Sequence, residues 1–314
     1  MRRRAILATI GAVTVGLAFG VAAWAADPVA YLTEIRRKGA AEVRVKPVDA
    51  TAWQTPQPLL ALRLGDQVRA SGDAEVVILF HGGGTVTVKA ENSPFTVSAA
   101  PSQRTAEQLR VVTSSVTEFF LGKQKAPTYR RAATRGEAAT IVSPRHTRLL
   151  PEPLTFEWEG PEHLRYTVRV LGPDGVVWQQ ADLPRRPLRY PAGAPPLARG
   201  VKYAWELEAP GQPVQRTPFE IVSDEESRTI RQALAVLERD TRQGYSRATV
   251  TVMRAAFLFE GGLFAEARRE LERAAAADPD EPTLRTMLGH VYDHTGLPGK
   301  AAQEFERAKA LVGP

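Results

Sequence analysis

Residues 76–88, VVILFHGGGTVTV, run an apolar strand into His81-Gly82-Gly83-Gly84. That arrangement can aim backbone N–H groups at the oxyanion of an acyl-transfer reaction. The same chemistry needs a serine on a sharp strand-to-helix turn, G-x-S-x-G, with an acid and a histidine behind it. The chain offers Gly244-Tyr245-Ser246-Arg247-Ala248, then Asp278 or Asp280, then His290 or His294. The order fits, but the context does not. The segment before Ser246 is patterned as amphipathic helix, and no alternation of strand and helix runs through the chain. His81 to Gly84 therefore reads as a hairpin loop whose glycines supply positive φ, and no catalytic residue is assigned.

His290 and His294 stand one helical turn apart and could share a metal ion. The zinc-protease pattern H-E-x-x-H needs a glutamate directly after the first histidine, and Val291 stands there. The other histidines are His81, His146 and His163, none suitably spaced as a third ligand. No metal and no cofactor is expected, and the protein is expected not to be an enzyme. The absence of cysteine also removes disulfides, thiol catalysis and cysteine-ligated metal.

The 314 residues leave room for two or three domains with their own cores. At the N-terminus, three arginines precede a weakly apolar run that ends in Ala23-Trp24-Ala25, the pattern of a secretory signal cut after Ala25. The mature protein is expected in the periplasm or secreted, with no membrane span once residues 1–25 are removed. Removing Arg2, Arg3 and Arg4 lowers the formal charge from +6 to +3. The remaining basicity is local: between Lys123 and Arg148 seven Lys and Arg face one Glu. Export argues against nucleic acid as a partner. The run reads as a solvated linker over 123–148, with Lys123, Lys125, Arg130, Arg131 and Arg135 as the contact for an anionic envelope glycan.

From Ala41 to Leu121 apolar residues alternate with period two in short bursts, as in EVRV, LLALRL, EVVILF and TVTV. This is the pattern of an antiparallel sandwich or roll. With Gly39, Trp53, L-R-L-G-D-Q-V-R at 62–69 and the glycine turn, residues 26–122 resemble a FecR-like domain. The resemblance implies a noncatalytic extracytoplasmic module. Members of that family carry a cytoplasmic anti-sigma segment ahead of a membrane helix, whereas four residues precede the apolar run here.

Residues 149–222 return to period two. LTFEW, LRYTVRV and VKYAWELEA place Phe156, Trp158, Tyr166, Tyr203 and Trp205 on inward faces, around the turn Gly172-Pro173-Asp174-Gly175. This is similar to a fibronectin-type or immunoglobulin-like sandwich, with the aromatics as core rather than a sugar-stacking platform. At Ser223 the period becomes 3.6, and Ser223 with Glu226 forms a capping box. Beyond that helix the sequence repeats at an interval of 34: Ala255 matches Gly289, Leu258 Tyr292, Gly262 Gly296, Ala267 Ala301, Leu271 Phe305 and Ala274 Ala308. Residues 223–314 thus resemble tetratricopeptide (TPR) hairpins.

The predicted fold class is multidomain β plus α: a FecR-like antiparallel β domain, an Ig-like β-sandwich and C-terminal α-helical TPR hairpins. In that repeat family the first helix of each pair lines a concave peptide-binding face. The resemblance places Thr249, Val252, Ala256, Phe259 and Glu260 on that face from the first copy. The second copy adds Thr283, Thr286, His290, Asp293 and His294. The expected function is a noncatalytic envelope scaffold that holds a protein or peptide segment. The alternative is a FecR-type extracytoplasmic sensor relaying to a membrane or sigma-factor regulator.

Overall fold

The computed structural model describes residues 27–98, 119, 138–240 and 244–313. Residues 1–25, read as a secretory signal, and Lys123, Lys125, Arg130, Arg131 and Arg135, expected as a glycan contact, lie outside them. The chain folds as several β sheets followed, among the described residues, by five C-terminal helices.

The first module contains β1 (Ala30–Arg36), β2 (Val43–Lys46), β3 (Ala61–Leu62), β4 (Gln67–Ala70), β5 (Glu75–Phe80), β6 (Thr85–Val88) and β7 (Phe95–Thr96). One sheet has the order β3-β1-β5-β6 and the other β2-β4-β7, with every pairing antiparallel. Leu32, Ile35, Val45, Val68, Ile78, Phe80 and Val88 fill the space between the sheets. His81 to Gly84 joins β5 to β6 as a hairpin, as the sequence predicts. Gly83 takes φ +88°, and its N–H donates to the Phe80 carbonyl at 2.8 Å.

The second module holds β8 (Thr140–Ser143), β9 (Thr147–Leu149), β10 (Thr155–Glu159), β11 (Tyr166–Gly172), β12 (Gly175–Leu183), β13 (Leu188–Arg189), β14 (Val201–Glu208) and β15 (Gln215–Ile221). Its sheets run β12-β11-β14-β15-β9 and β13-β10-β8. The predicted inward aromatics are core: Phe156, Tyr166 and Trp205 are fully buried, and Trp158, Tyr203 and Phe219 nearly so. Two of the polar ends are satisfied inside, whereas Trp158 Nε1 is buried without a hydrogen-bond partner. Trp205 Nε1 donates to the Pro144 carbonyl at 2.7 Å, and Tyr166 Oη to the Pro161 carbonyl at 2.8 Å.

Two features differ from the sequence reading. β8 lies inside the stretch read as linker, 123–148, and β9 begins within it, so among the described residues that stretch carries strand from Thr140 on. β9 also pairs with β15 in parallel, in an otherwise antiparallel sheet. The basic residues hid a strand because Arg145 and Arg148, though partly exposed, bind backbone carbonyls of the helical module.

The helices are α1 (Asp224–Asp240), α2 (Arg247–Glu260), α3 (Phe264–Ala277), α4 (Pro282–His294) and α5 (Pro298–Val312). Ser223 Oγ caps α1 by accepting from the Glu226 N–H at 3.2 Å, but the Glu226 carboxylate pairs with Arg148 instead of closing the box. α2 packs on α3 and α4, and α4 on α3 and α5. The 34-residue spacing of small residues sets how closely they approach. A Cβ on Gly289 of α4 would lie 2.5 Å from Phe305 Cε1 of α5, so the close α4–α5 contact needs that glycine.

The three segments share one interior. β1 and β5 are buried on both faces. Leu32 and Ile78 point into their own module, while Tyr31 and Leu79 point into a core shared with Val252, Ala256, Leu284 and Leu288 of the helices. Val142, Leu150 and Val222 of the second β module enter the same core.

Candidate functional site

The helical module carries two constructions that could do chemistry: a seam of buried carboxylates where the β modules dock, and an aromatic–imidazole face away from that seam. Helix starts build the first. Ser246 caps α2 by accepting from the Thr249 N–H at 3.0 Å, while its own hydroxyl donates to Glu34 of β1. The residue that could have been a nucleophile is thus a helix cap facing a carboxylate.

Glu34 is almost fully buried. Its Oε1 also accepts from Thr249 Oγ1 at 2.6 Å and from the Thr249 N–H at 3.2 Å, and its Oε2 pairs with Arg36 Nε at 3.3 Å. Arg36 Nη2 then reaches Asp278 Oδ2 at 2.7 Å. Glu281, fully buried, caps α4: its Oε1 accepts from the Thr283 N–H at 3.1 Å and from the Ile35 N–H of β1 at 3.3 Å. One carboxylate oxygen therefore holds both a helix start and a strand of another module.

Glu281 Oε2 and Glu266 Oε2 are buried without a hydrogen-bond partner. Burial pushes the Glu281 carboxyl up from 4.5 to about 7, with Glu34 adding repulsion against the Thr283 and Ile35 hydrogen bonds. Burial does the same to Glu266, up to about 7, against the pull of Arg269 and of the Leu150 N–H that Oε1 accepts at 3.0 Å. An acid that holds its proton more tightly when folded favours folding at low pH. That advantage is lost as pH rises from about 4.5 to about 7. His81, His146 and His294, whose pKa values burial lowers, contribute the opposite slope. The clean readout is therefore a difference. Glu281→Gln keeps the accepting oxygen and should match the wild type in urea denaturation at pH 5. It should exceed the wild type at pH 8.

The second β module docks on the turns of the repeat. The Arg148 N–H donates to the Gly262 carbonyl at 2.8 Å, and its Nη1 to the Gly261 carbonyl at 3.0 Å. Arg145 Nε donates to the Thr295 carbonyl at 2.6 Å, and its Nη2 reaches the Gly296 carbonyl at 3.4 Å. Gly262 and Gly296 are the matched glycines of the two copies, so each copy's turn is gripped by one arginine from 145–148. These two members of the basic run neutralise carbonyl ends of helices α2 and α4.

The aromatic–imidazole face is built from the C-terminal halves of α2 and α4 together with α3 and α5. Phe259 lies edge-on to Phe264 with ring centroids 4.9 Å apart, and 4.8 Å from His294. Phe264 and His294 are 4.4 Å apart, and His290 is 5.0 Å from Phe305. Burial lowers the pKa of His294 against the pull of Asp293, which favours the neutral imidazole. All five rings remain partly open. Phe119, from the stretch between the two β modules, is seated on them: its ring is T-shaped to Phe259 at 4.7 Å and to His290 at 6.0 Å, with 2% exposure.

Of the residues placed on the concave face by sequence, Phe259, His290 and His294 come together, with Glu260 and Asp293 exposed on the same two helices. Thr249, Val252, Ala256 and Thr283 are buried, because β1 and β5 cover the other end of that face. Thr286 is half-buried and donates its hydroxyl to the Pro282 carbonyl at 3.0 Å. The sequence reading missed Phe264 and Phe305, which come from second helices, and Phe119, which no repeat spacing reveals. It also missed Glu34 and Glu281, whose types are ordinary for an exposed strand and a helix start.

Among the described residues no group of three or more His, Asp or Glu is arranged to hold a metal. No described helix is long and apolar enough to cross a membrane. A shallow cleft lined by Arg199, Arg228 and Arg231 has its charge largely answered by Asp224 and Glu152. A scan against protein-family models gave no match for the chain, and a search of curated proteins gave none either.

Proposed function

We propose that this is a noncatalytic exported protein of the bacterial envelope that acts as a scaffold or adaptor. In this reading the β segments are FecR-like and Ig-like modules, and the helices are TPR hairpins. A protein or peptide partner is held on the face made by Phe259, Phe264, His290, His294 and Phe305. The β modules serve as a rigid mount and, through the basic run that contains Lys123 and Arg130, as a second contact for an anionic envelope glycan.

One observation carries the reading. The helices present a cluster of partly open rings, and a phenylalanine from outside the repeats is already seated on it. Such rings contribute large contact area with few rotatable bonds, which suits recognition of an inserted side chain. The test is photo-crosslinking in the envelope, with p-benzoylphenylalanine at position 264 and, as control, at the exposed Val176 of β12. The expected result is one discrete crosslinked protein from position 264 that is absent from position 176. Identical products from both positions would remove the reading.

A further inference from the structure

We infer that the solvent face of the sheet β2-β4-β7 binds a carboxylate-bearing glycan, gripped by Arg44, Lys46 and Arg69 beside Trp53. This deepens the reading that the β modules contact an anionic envelope glycan, and rests on it. Strand register assembles the site. Val43, Val45, Val68 and Ala70 are buried in the core, so the alternate residues Arg44, Lys46 and Arg69 point outward. Arg44 stands directly opposite Arg69 across the β2–β4 pair, and Lys46 opposite Gln67. A bridge between Val45 and Gln54 lays residues 53–55 along the other side of β2, with Trp53 and Thr55 on the same face. Arg44 Nη1 donates to Thr55 Oγ1 at 2.7 Å, and the Arg69 guanidinium lies over the Trp53 ring, 4.7 Å from its centroid.

This arrangement works against folding. Side chains directly opposite on antiparallel strands stand about 5 Å apart at Cβ, and like charges there repel. One carboxylate answers the three cations: Glu42 pairs with Arg44 at 3.2 Å. Among the described residues no carboxylate lies within ion-pair distance of Lys46 or Arg69. Arg44 first, then Arg37 and Arg69, hold the Glu42 carboxyl below its usual value, so the field of Arg69 reaches across the strands.

Arg69 is also oriented for a ligand. Its guanidinium rests on the indole by a cation–π contact, and its side-chain N–H groups meet no acceptor among the described residues. A planar guanidinium with free N–H groups takes a carboxylate in two parallel hydrogen bonds. A second guanidinium and an ammonium on the same face suit a ligand that repeats its carboxylates. A uronic acid chain does so on stiff rings, whose C–H faces pack on the open part of the half-buried indole. An acidic peptide holds its carboxylates on flexible stems and loses more freedom on a flat face.

The probe is a hexamer of galacturonic acid, titrated into the full chain by calorimetry at low salt. The wild type should bind it, more weakly as salt is raised, and should not bind a neutral glucose hexamer. Arg69→Gln/Lys46→Gln should weaken binding at least about tenfold. The double change relieves repulsion, so circular dichroism should be unchanged. Arg186→Gln/Arg189→Gln removes two exposed cations of the second module and should leave binding as it was. Equal binding by wild type and Arg69→Gln/Lys46→Gln, or equal loss in both double variants, would overturn the site. Loss in Lys123→Gln/Arg130→Gln alone would overturn it too, while keeping the glycan contact on the basic run. No binding by the wild type would overturn both. Binding of a glutamate hexamer as tightly as the uronate would overturn the glycan in favour of an acidic peptide.

Discussion

Glu34→Ala should lower the unfolding free energy by about 3 kcal/mol. The carboxylate is 2% exposed, and its Oε1 receives the Ser246 hydroxyl, the Thr249 hydroxyl and the Thr249 N–H. Alanine leaves the buried Thr249 hydroxyl and the half-buried Ser246 hydroxyl without that acceptor, while Thr33 Oγ1 stays 3.1 Å from Thr249 Oγ1. The Thr249 N–H keeps only the Ser246 cap. Arg36 loses one of its two carboxylate partners and retains Asp278. The cost of stranding buried donors is what sets the size, since the net gain from forming such a cluster is smaller than the penalty for breaking half of it. Glu34→Gln preserves an accepting oxygen and should cost markedly less. Urea denaturation of the two variants separates these terms. A loss below about 1 kcal/mol for Glu34→Ala would mean that water replaces the carboxylate and that the seam does not fix β1 to α2.

Trp205→Ala should cost about 3–5 kcal/mol. The indole is fully buried, 4.9 Å from the Phe156 ring, and donates Nε1–H to the Pro144 carbonyl. Truncation opens a large cavity in the second β module and leaves that carbonyl unpaired. The effect should also reach the helices. Pro144 is followed by Arg145, which holds the Thr295 carbonyl, and Arg148 holds Gly261 and Gly262. Faster amide hydrogen exchange in 261–263 and 295–297 of the variant would show that the β core positions the arginine clamps. Trp205→Phe fills most of the space and loses only the hydrogen bond, so about 1–2 kcal/mol is expected from it.

The strands that alternate were legible in the sequence because one face meets a core and the other meets water. β11 and β14 are of this kind, with Tyr166, Val168 and Val170 or Tyr203, Trp205 and Leu207 inward. β1 was not, for a physical reason. Its sequence AYLTEIR is buried on both faces, and the second face meets the helices through Thr33 and Glu34. Polar residues paired inside an interface look like solvent-facing positions when read one strand at a time. The same ambiguity extended the basic linker over β8 and β9. Arginines that neutralise helix carbonyls have the composition of a solvated run, and only the placement of Gly262 and Gly296 beside them tells the two apart.

The repeat interval revealed the helical site in part. The interval pairs Phe259 with Asp293, Ala256 with His290 and Glu260 with His294, and the three rings share a face because they sit within a turn of those matched positions on α2 and α4. It could not show that β1 and β5 cover the far end, where Thr249 and Val252 lie, since that depends on contacts between residues more than 200 positions apart. Nor could any local pattern assign Phe119 to Phe259. Export itself rests on residues 1–25, read from sequence as a signal.

The most direct test of the adaptor reading compares the wild type with Phe259→Ala/His290→Ala/His294→Ala in an in-cell crosslinking pull-down from the envelope fraction. Circular dichroism must show the variant folded, and His294→Ala alone serves if it is not. The account predicts a specific protein partner recovered with the wild type and lost with the variant. Recovery of the same partners in the same yield from both would contradict it, and would leave the helices as a structural mount for the β modules.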